Sequence, residues 1–175
     1  MRRQSGILLH ISSLPSRYGI GSLGQAAYQF VDFLEASGQT LWQVLPIGVT
    51  GFGDSPYQSF STFAGNPYFI DLEELLEQDL LEPAEVQAAS QNGSVDRVEY
   101  GMLFETRLPL LKKAALRGYG RYGAEEQDFY RENEDWLPDY SLFMALKKHF
   151  SQKPYWEWPK EIRDREESAM EHYRE

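Results

Sequence analysis

A chain of 175 residues with 42% hydrophobic content has about the length of one domain and enough apolar material for a core. Its 27 acidic against 17 dispersed basic residues give a formal net charge of −10, which argues against nucleic acid and anionic membranes as partners. Cysteine is absent and His10, His149 and His172 are widely scattered, so disulfides, thiol chemistry, a metal site and a cofactor are not expected. The opening MRRQSGILLH has too short an apolar run for a signal peptide or a membrane span, and the expectation is a cytoplasmic protein.

Along the chain, 6-GILLHI-11 reads as a buried strand that ends at the Ser12, Ser13, Pro15 cluster. Ser22 followed by Gln25 predicts a capping box, and Ala26, Ala27, Phe30, Val31 and Leu34 recur at helical spacing until Gly38. The run 40-TLWQVLPI-47 is apolar on both faces, as in a parallel strand covered from two sides, so the opening reads as a strand–helix–strand crossover unit. From residue 72 to 150 the pattern is helical without a strong strand. Asp71 and Glu74 predict a helix start, Pro83 suits a first helical turn, and Pro109 predicts a kink in 102–117. The last helix, over 159–175, is expected to carry a Glu161–Arg165 pair and ends without a stop signal, which suggests a fragment.

The literal G-x-G-x-x-G at 19-GIGSLG-24 is a poor dinucleotide site. Seven residues separate it from the strand, and the second strand closes on Leu45, Pro46 and Ile47 rather than on an acidic residue. No G-x-S-x-G elbow supports a triad. His10 reads as a buried histidine bonded to a neighbour, and Asp54, between glycine and serine in a loop, as a turn aspartate.

Residues 51–71, GFGDSPYQSFSTFAGNPYFID, differ in kind, because six aromatic residues sit among glycine, proline, serine, asparagine and aspartate just past the second strand. That strand edge is where parallel α/β folds place ligands. Aromatic faces stack on the C–H faces of sugar rings while hydroxyl, amide and carboxylate groups bond the rim hydroxyls. Ser55, Tyr57 and Asn66 are therefore candidate sugar contacts, and Phe60, Phe63, Tyr68 and Phe69 are expected to form a small core beneath the loop.

These residues also carry a resemblance. The segments 6-GILLHISSLPS-16, 18-YGIGSLG-24, 42-WQVLPIG-48, 53-GDSPYQSFSTFAGNPY-68, 138-PDYSLFMALK-147 and 154-PYWEWP-159 resemble, in order, the N-terminal part of 4-alpha-glucanotransferases of the amylomaltase type. The resemblance implies an α/β fold: the N-terminal part of a (β/α)8 TIM barrel, with residues 1–71 giving the first strand–helix–strand and an active-site loop. Residues 72–150 would form a largely helical inserted subdomain and 151–175 a connection with the start of a further helix. It implies transfer of α-1,4-glucan segments between maltooligosaccharides by a retaining double displacement. Ser55 and Tyr57 would stand on the donor side of the cleaved bond. Phe52 falls where some relatives carry a tyrosine of a secondary glucan groove, keeping the ring but losing the hydroxyl, and Tyr100 would belong to the same groove.

A closed barrel of this class needs about 250 residues. The family's catalytic carboxylates lie in segments this sequence does not contain, so no catalytic residue is assigned and the chain alone is expected to be inactive. Alternative readings are a non-catalytic glucan-binding module and one half of a split barrel whose partner is the missing C-terminal part.

Overall fold

In the computed structural model, which describes residues 3–51, 53–90 and 96–174, the first two elements to pair are short strands. β1 (Gly6–Leu8) runs parallel to β2 (Leu41–Gln43), with Ile7 opposite Trp42. Backbone bonds from Thr40 N–H to Ser5 O (2.9 Å) and from Leu9 N–H to Gln43 O (3.0 Å) extend the ladder at both ends. Parallel pairing requires a crossover, and α1 (Gln25–Ala36) supplies it. Phe30 of α1 meets Trp42 edge-on, with ring centroids 4.9 Å apart.

Three sequence expectations are corrected here. The first strand ends at Leu8, and Ile11–Ser13 turns as a 3-10 helix that buries Ile11. The second strand is not covered from two sides, since Leu41, Val44 and Ile47 remain exposed and β1 is its one partner strand among the described residues. The capping box does not form. Gly24 is the N-cap of α1, and the Ser22 hydroxyl instead donates to the Asp71 carboxylate at 2.5 Å. A charged acceptor outcompetes a backbone amide for that hydroxyl. Glycine at 24 permits the approach, because a Cβ there would lie 2.2 Å from the Asp71 carboxylate carbon. The helix stops as predicted at Gly38 (φ +68°), where Gly38 N–H bonds Glu35 O and Gln39 N–H bonds Leu34 O, a Schellman motif.

The chain divides into two compact units, Met1–Tyr122 and Gly123–Glu175. In the first, α2 (Leu72–Glu77), α3 (Pro83–Ser90) and α4 (Tyr100–Gly118) follow the aromatic stretch. Asp71 caps α2, its Oδ1 accepting from Glu73 N–H (2.9 Å) and Glu74 N–H (3.3 Å), and Pro83 opens α3, both as the sequence predicts. Pro109 lies inside α4, where it removes the bond its N–H would give to Glu105 O. Two clusters form the core. One joins Ile11, Leu14, Ile20, Tyr68, Phe69 and Leu103, and the other joins Tyr18, Leu72, Leu81, Val86, Leu110 and Ala114. Arg107 of α4 is 2% exposed, and its guanidinium donates to Ile70 O. Burial lowers its pKa to about 10, while the nearby Asp71 carboxylate opposes that loss.

The second unit holds α5 (Gly123–Glu132), α6 (Leu137–His149), α7 (Lys160–Arg163) and α8 (Glu167–Arg174). Leu142, Leu146, Trp158, Ile162 and Met170 form its core, with Phe143, Phe150 and Tyr173 packed against it. The single helix expected over 159–175 is two helices. Arg165 turns left-handed (φ +59°) and Glu166 N–H bonds Glu161 O at 2.9 Å, so the Glu161–Arg165 pair is replaced by Arg165 on both oxygens of Asp139 (2.8 and 2.9 Å). No helix among the described residues is long and apolar enough to cross a membrane.

Asp71→Ala removes a helix cap and the Ser22 bond together, and is expected to destabilise the first unit by about 2–4 kcal/mol. Urea denaturation should show the loss, with Asp71→Asn retaining a substantial part of the stability.

Candidate functional site

The aromatic stretch begins where β2 gives way to Val44–Ile47 and is closed at its base by its own ends. Gly48 and Gly65 form an antiparallel bridge, and Asn66 N–H donates to Ile47 O at 2.9 Å. Residues 49–64 thus form a loop with a pinned stem, of the Ω type. Buried Val49 and Ala64 fill its foot. Serines hold its second half: the Ser59 hydroxyl donates to Ser61 O (2.7 Å), and Ser61 Oγ accepts from Phe63 N–H (3.2 Å) and Ala64 N–H (3.0 Å). Short hydroxyl side chains satisfy backbone groups that neither helix nor strand would use here.

Asn66 is 6% exposed, and its Oδ1 accepts from Tyr68 N–H at 3.0 Å, capping the 3-10 turn Pro67–Phe69. Its side-chain oxygen and backbone are therefore spent on the stem. Ser55 is half-buried, with Oγ accepting from Tyr57 N–H at 3.3 Å, while Tyr57 is 71% exposed. The backbone turn between Ser55 and Gln58 (3.2 Å) presents that ring on a fixed base. Phe52 lies outside the described residues. Tyr100 opens α4, half-buried, with its ring 6.0 Å from that of Tyr68. The expected four-ring core splits in two: Tyr68 and Phe69 are buried, while Phe60 and Phe63 are exposed on the loop.

Asp54 is in a left-handed turn (φ 57°), with its N–H on Gly51 O at 3.2 Å. Burial pushes the Tyr68 phenol up to about 12 with Asp54 adding to the shift, and the same two causes raise Tyr100. Asp54 therefore gives negative potential beside two protonated phenols, which are hydrogen-bond donors suited to neutral polar ligands. His10 departs from expectation. Its ring stands edge-on to Phe69 at 5.4 Å, but its buried Nδ1 has no partner among the described residues, and burial lowers its pKa. A cavity of about 470 Å³ in this unit is lined by Ser12–Ser16, Gly19–Gly21 and 96–98, away from the loop. The described residues contain no cluster of potential metal ligands.

The family profile described as 4-alpha-glucanotransferase matches residues 9–175, which includes the whole loop and its stem. The chain belongs to the 4-alpha-glucanotransferase family. It is 47% identical to a 4-alpha-glucanotransferase of Streptococcus pneumoniae over 99% of its own length and 35% of that protein. With the Thermus thermophilus 4-alpha-glucanotransferase the identity is 46%, over 96% of this chain and 33% of the relative. Among solved structures, amylomaltase from Streptococcus agalactiae in complex with acarbose superposes with a TM-score of 0.94 at 44% identity, covering 99% of this chain and 36% of that one. The chain thus spans about a third of the length of the curated 4-alpha-glucanotransferases it matches, and its described residues fold as helices with two short strands that superpose on part of the amylomaltase.

The sequence pointed to the loop but not to its supports. Arg107 reads as one more surface charge on a helix, although its place at i, i+4, i+7 spacing with Leu103 and Leu110 is the signal that would have put it on the buried face, where it meets Ile70 O. Two outcomes test the geometry. Ser61→Ala should speed hydrogen exchange of the Phe63 and Ala64 amides about tenfold, through lost bonds of about 1 kcal/mol. Tyr68, with its pKa raised from 10 to about 12, contributes stability in full below pH 10 that is lost as pH climbs towards 12. Arg107, lowered to about 10, has the opposite sign, so comparing wild type with Tyr68→Phe in alkaline urea titrations isolates the tyrosine.

Proposed function

We propose that the chain supplies part of the substrate cleft of an enzyme that transfers α-1,4-glucan segments between maltooligosaccharides. The observation that carries this reading is the stem-closed loop, with Tyr57 exposed on a fixed turn beside Ser55, in a chain of the 4-alpha-glucanotransferase family. An exposed ring held in place gives a stacking face for a glucosyl unit without the cost of ordering a mobile loop. The Ser55 hydroxyl, already accepting from Tyr57 N–H, keeps its proton to donate to a sugar oxygen. Asn66 serves through the stem, and Tyr100, its ring beside that of Tyr68, adds further ring surface.

In this reading β1, α1 and β2 are the opening of a (β/α)8 barrel. The exposed Leu8, Leu41 and Ile47 are surfaces that the rest of such a barrel would cover. Within the first unit, α2, α3 and α4 would border the cleft. Retaining transfer needs a nucleophilic carboxylate and an acid/base carboxylate about 5 Å apart, with an acceptor hydroxyl replacing water in the second step. Asp54, committed to a tight turn, fills neither role. The chain's own part is to bind and orient the glucan and to exclude water, which favours transfer over hydrolysis.

Two measurements on the purified chain test this. Maltotriose is expected to shift the amide resonances of residues 53–66, with Tyr57→Ala weakening binding about tenfold. A disproportionation assay should show no turnover by the chain itself. Loop resonances unmoved at saturating sugar would overturn the cleft assignment, and turnover would overturn the placement of the catalytic carboxylates elsewhere.

A further inference from the structure

The segment 154-PYWEWP-159 plays no part in the cleft just described, yet it builds a defined surface in the second unit. Tyr155–Glu157 is a 3-10 turn that follows Pro154 and runs into Trp158 and Pro159, with Glu157 N–H on Pro154 O (3.0 Å) and Trp158 N–H on Tyr155 O (3.1 Å). Trp158 anchors it from below: it is buried against Phe143 and Phe150 and donates its indole N–H to Lys153 O at 3.1 Å. From α7, the Arg163 guanidinium donates to Trp156 O at 3.0 Å. The turn is thus fixed by two prolines, a buried indole and an arginine.

On this base Tyr155 and Trp156 are 53% and 63% exposed, their rings meeting at 5.7 Å and 76° to form a corner. Among the four tryptophans, Trp42, Trp136 and Trp158 give their indole N–H to Leu9 O, Asn133 Oδ1 and Lys153 O, whereas that of Trp156 has no partner among the described residues. An exposed indole with an open donor, beside a phenol and the Glu157 carboxylate, offers two apolar faces rimmed by hydrogen-bonding groups. The net charge of −10 disfavours a polyanion such as nucleic acid as the stacking ligand. A neutral ring with C–H faces and rim hydroxyls fits the corner.

We propose that Tyr155 and Trp156 form a second glucan-binding platform that takes a segment of an α-1,4-glucan chain. The inference rests on the glucan reading of the loop and extends it. Every unit of such a polymer is chemically alike, so the ligand chemistry that suits the loop suits the corner as well. Rigid rings on a fixed turn lose little conformational entropy on binding.

Nuclear magnetic resonance on the nitrogen-15-labelled chain tests this, because each of the four tryptophans has its own indole signal. Maltoheptaose should move the Trp156 indole resonance saturably, together with the amides of residues 155–157, and leave the Trp42, Trp136 and Trp158 indoles in place. Trp156→Ala and, separately, Tyr155→Ala should weaken maltoheptaose binding roughly two- to tenfold, leaving the loop shifts produced by maltotriose intact. Loop amides that move while the Trp156 indole stays fixed would overturn the platform and leave the cleft standing. If cellohexaose moves that indole equally, the platform is no α-1,4-glucan site. If neither loop nor indole responds, both assignments fall.

Discussion

The carboxylate of Asp71 is the point on which the first unit depends. One oxygen receives the Ser22 hydroxyl, the other caps α2 through two amides, and the charge faces the buried guanidinium of Arg107. The approach to α1, the exit from the aromatic loop, the start of α2 and the middle of α4 therefore meet around a single acid. A buried arginine is costly to desolvate. Its bond to Ile70 O and the neighbouring carboxylate offset part of that cost and fix the backbone that leaves the loop. An alanine at 24 would push the carboxylate away, so the glycine belongs to the same device.

Elements built from local chemistry were legible in the sequence. The crossover unit, the Asp71 cap, Pro83 at a helix start and the stop at Gly38 all follow from propensity and capping rules, and all are present. What was illegible involves competition at a distance. Ser22 looks like a cap until a stronger acceptor 49 residues away claims it. Helix ends at Asp79, Ser151 and Arg165 adopt the left-handed conformation without glycine, so no residue type announced them, and the break after α7 read as continuous helix. Tertiary packing stabilises those turns where local preference does not, as when Ile162 and Met170 on either side of Arg165 share one cluster.

The candidate site shows a division of labour between residues that a sequence pattern treats alike. Of the aromatic residues described in the stretch, Tyr68 and Phe69 are floor, whereas Tyr57, Phe60 and Phe63 stand exposed. Alternation does not separate them, because the loop has no period. The separation follows from where the stem closes, since rings beyond the Gly48–Gly65 bridge enter the core and rings within it face outward.

Closure at the base also separates the loop from the scaffold that carries it. A loop whose stem is held by its own bridge and by the Asn66 bond to Ile47 is mechanically isolated from the strand that precedes it and the helix that follows. Substitutions, and even added residues, at its crown do not propagate into the register of β2 or the cap of α2, and lengthening such a loop costs only a slowly growing entropy, about 0.6 kcal/mol per doubling. A substitution at the crown therefore reports on what the loop touches rather than on whether the scaffold folds, because the stem decouples the two.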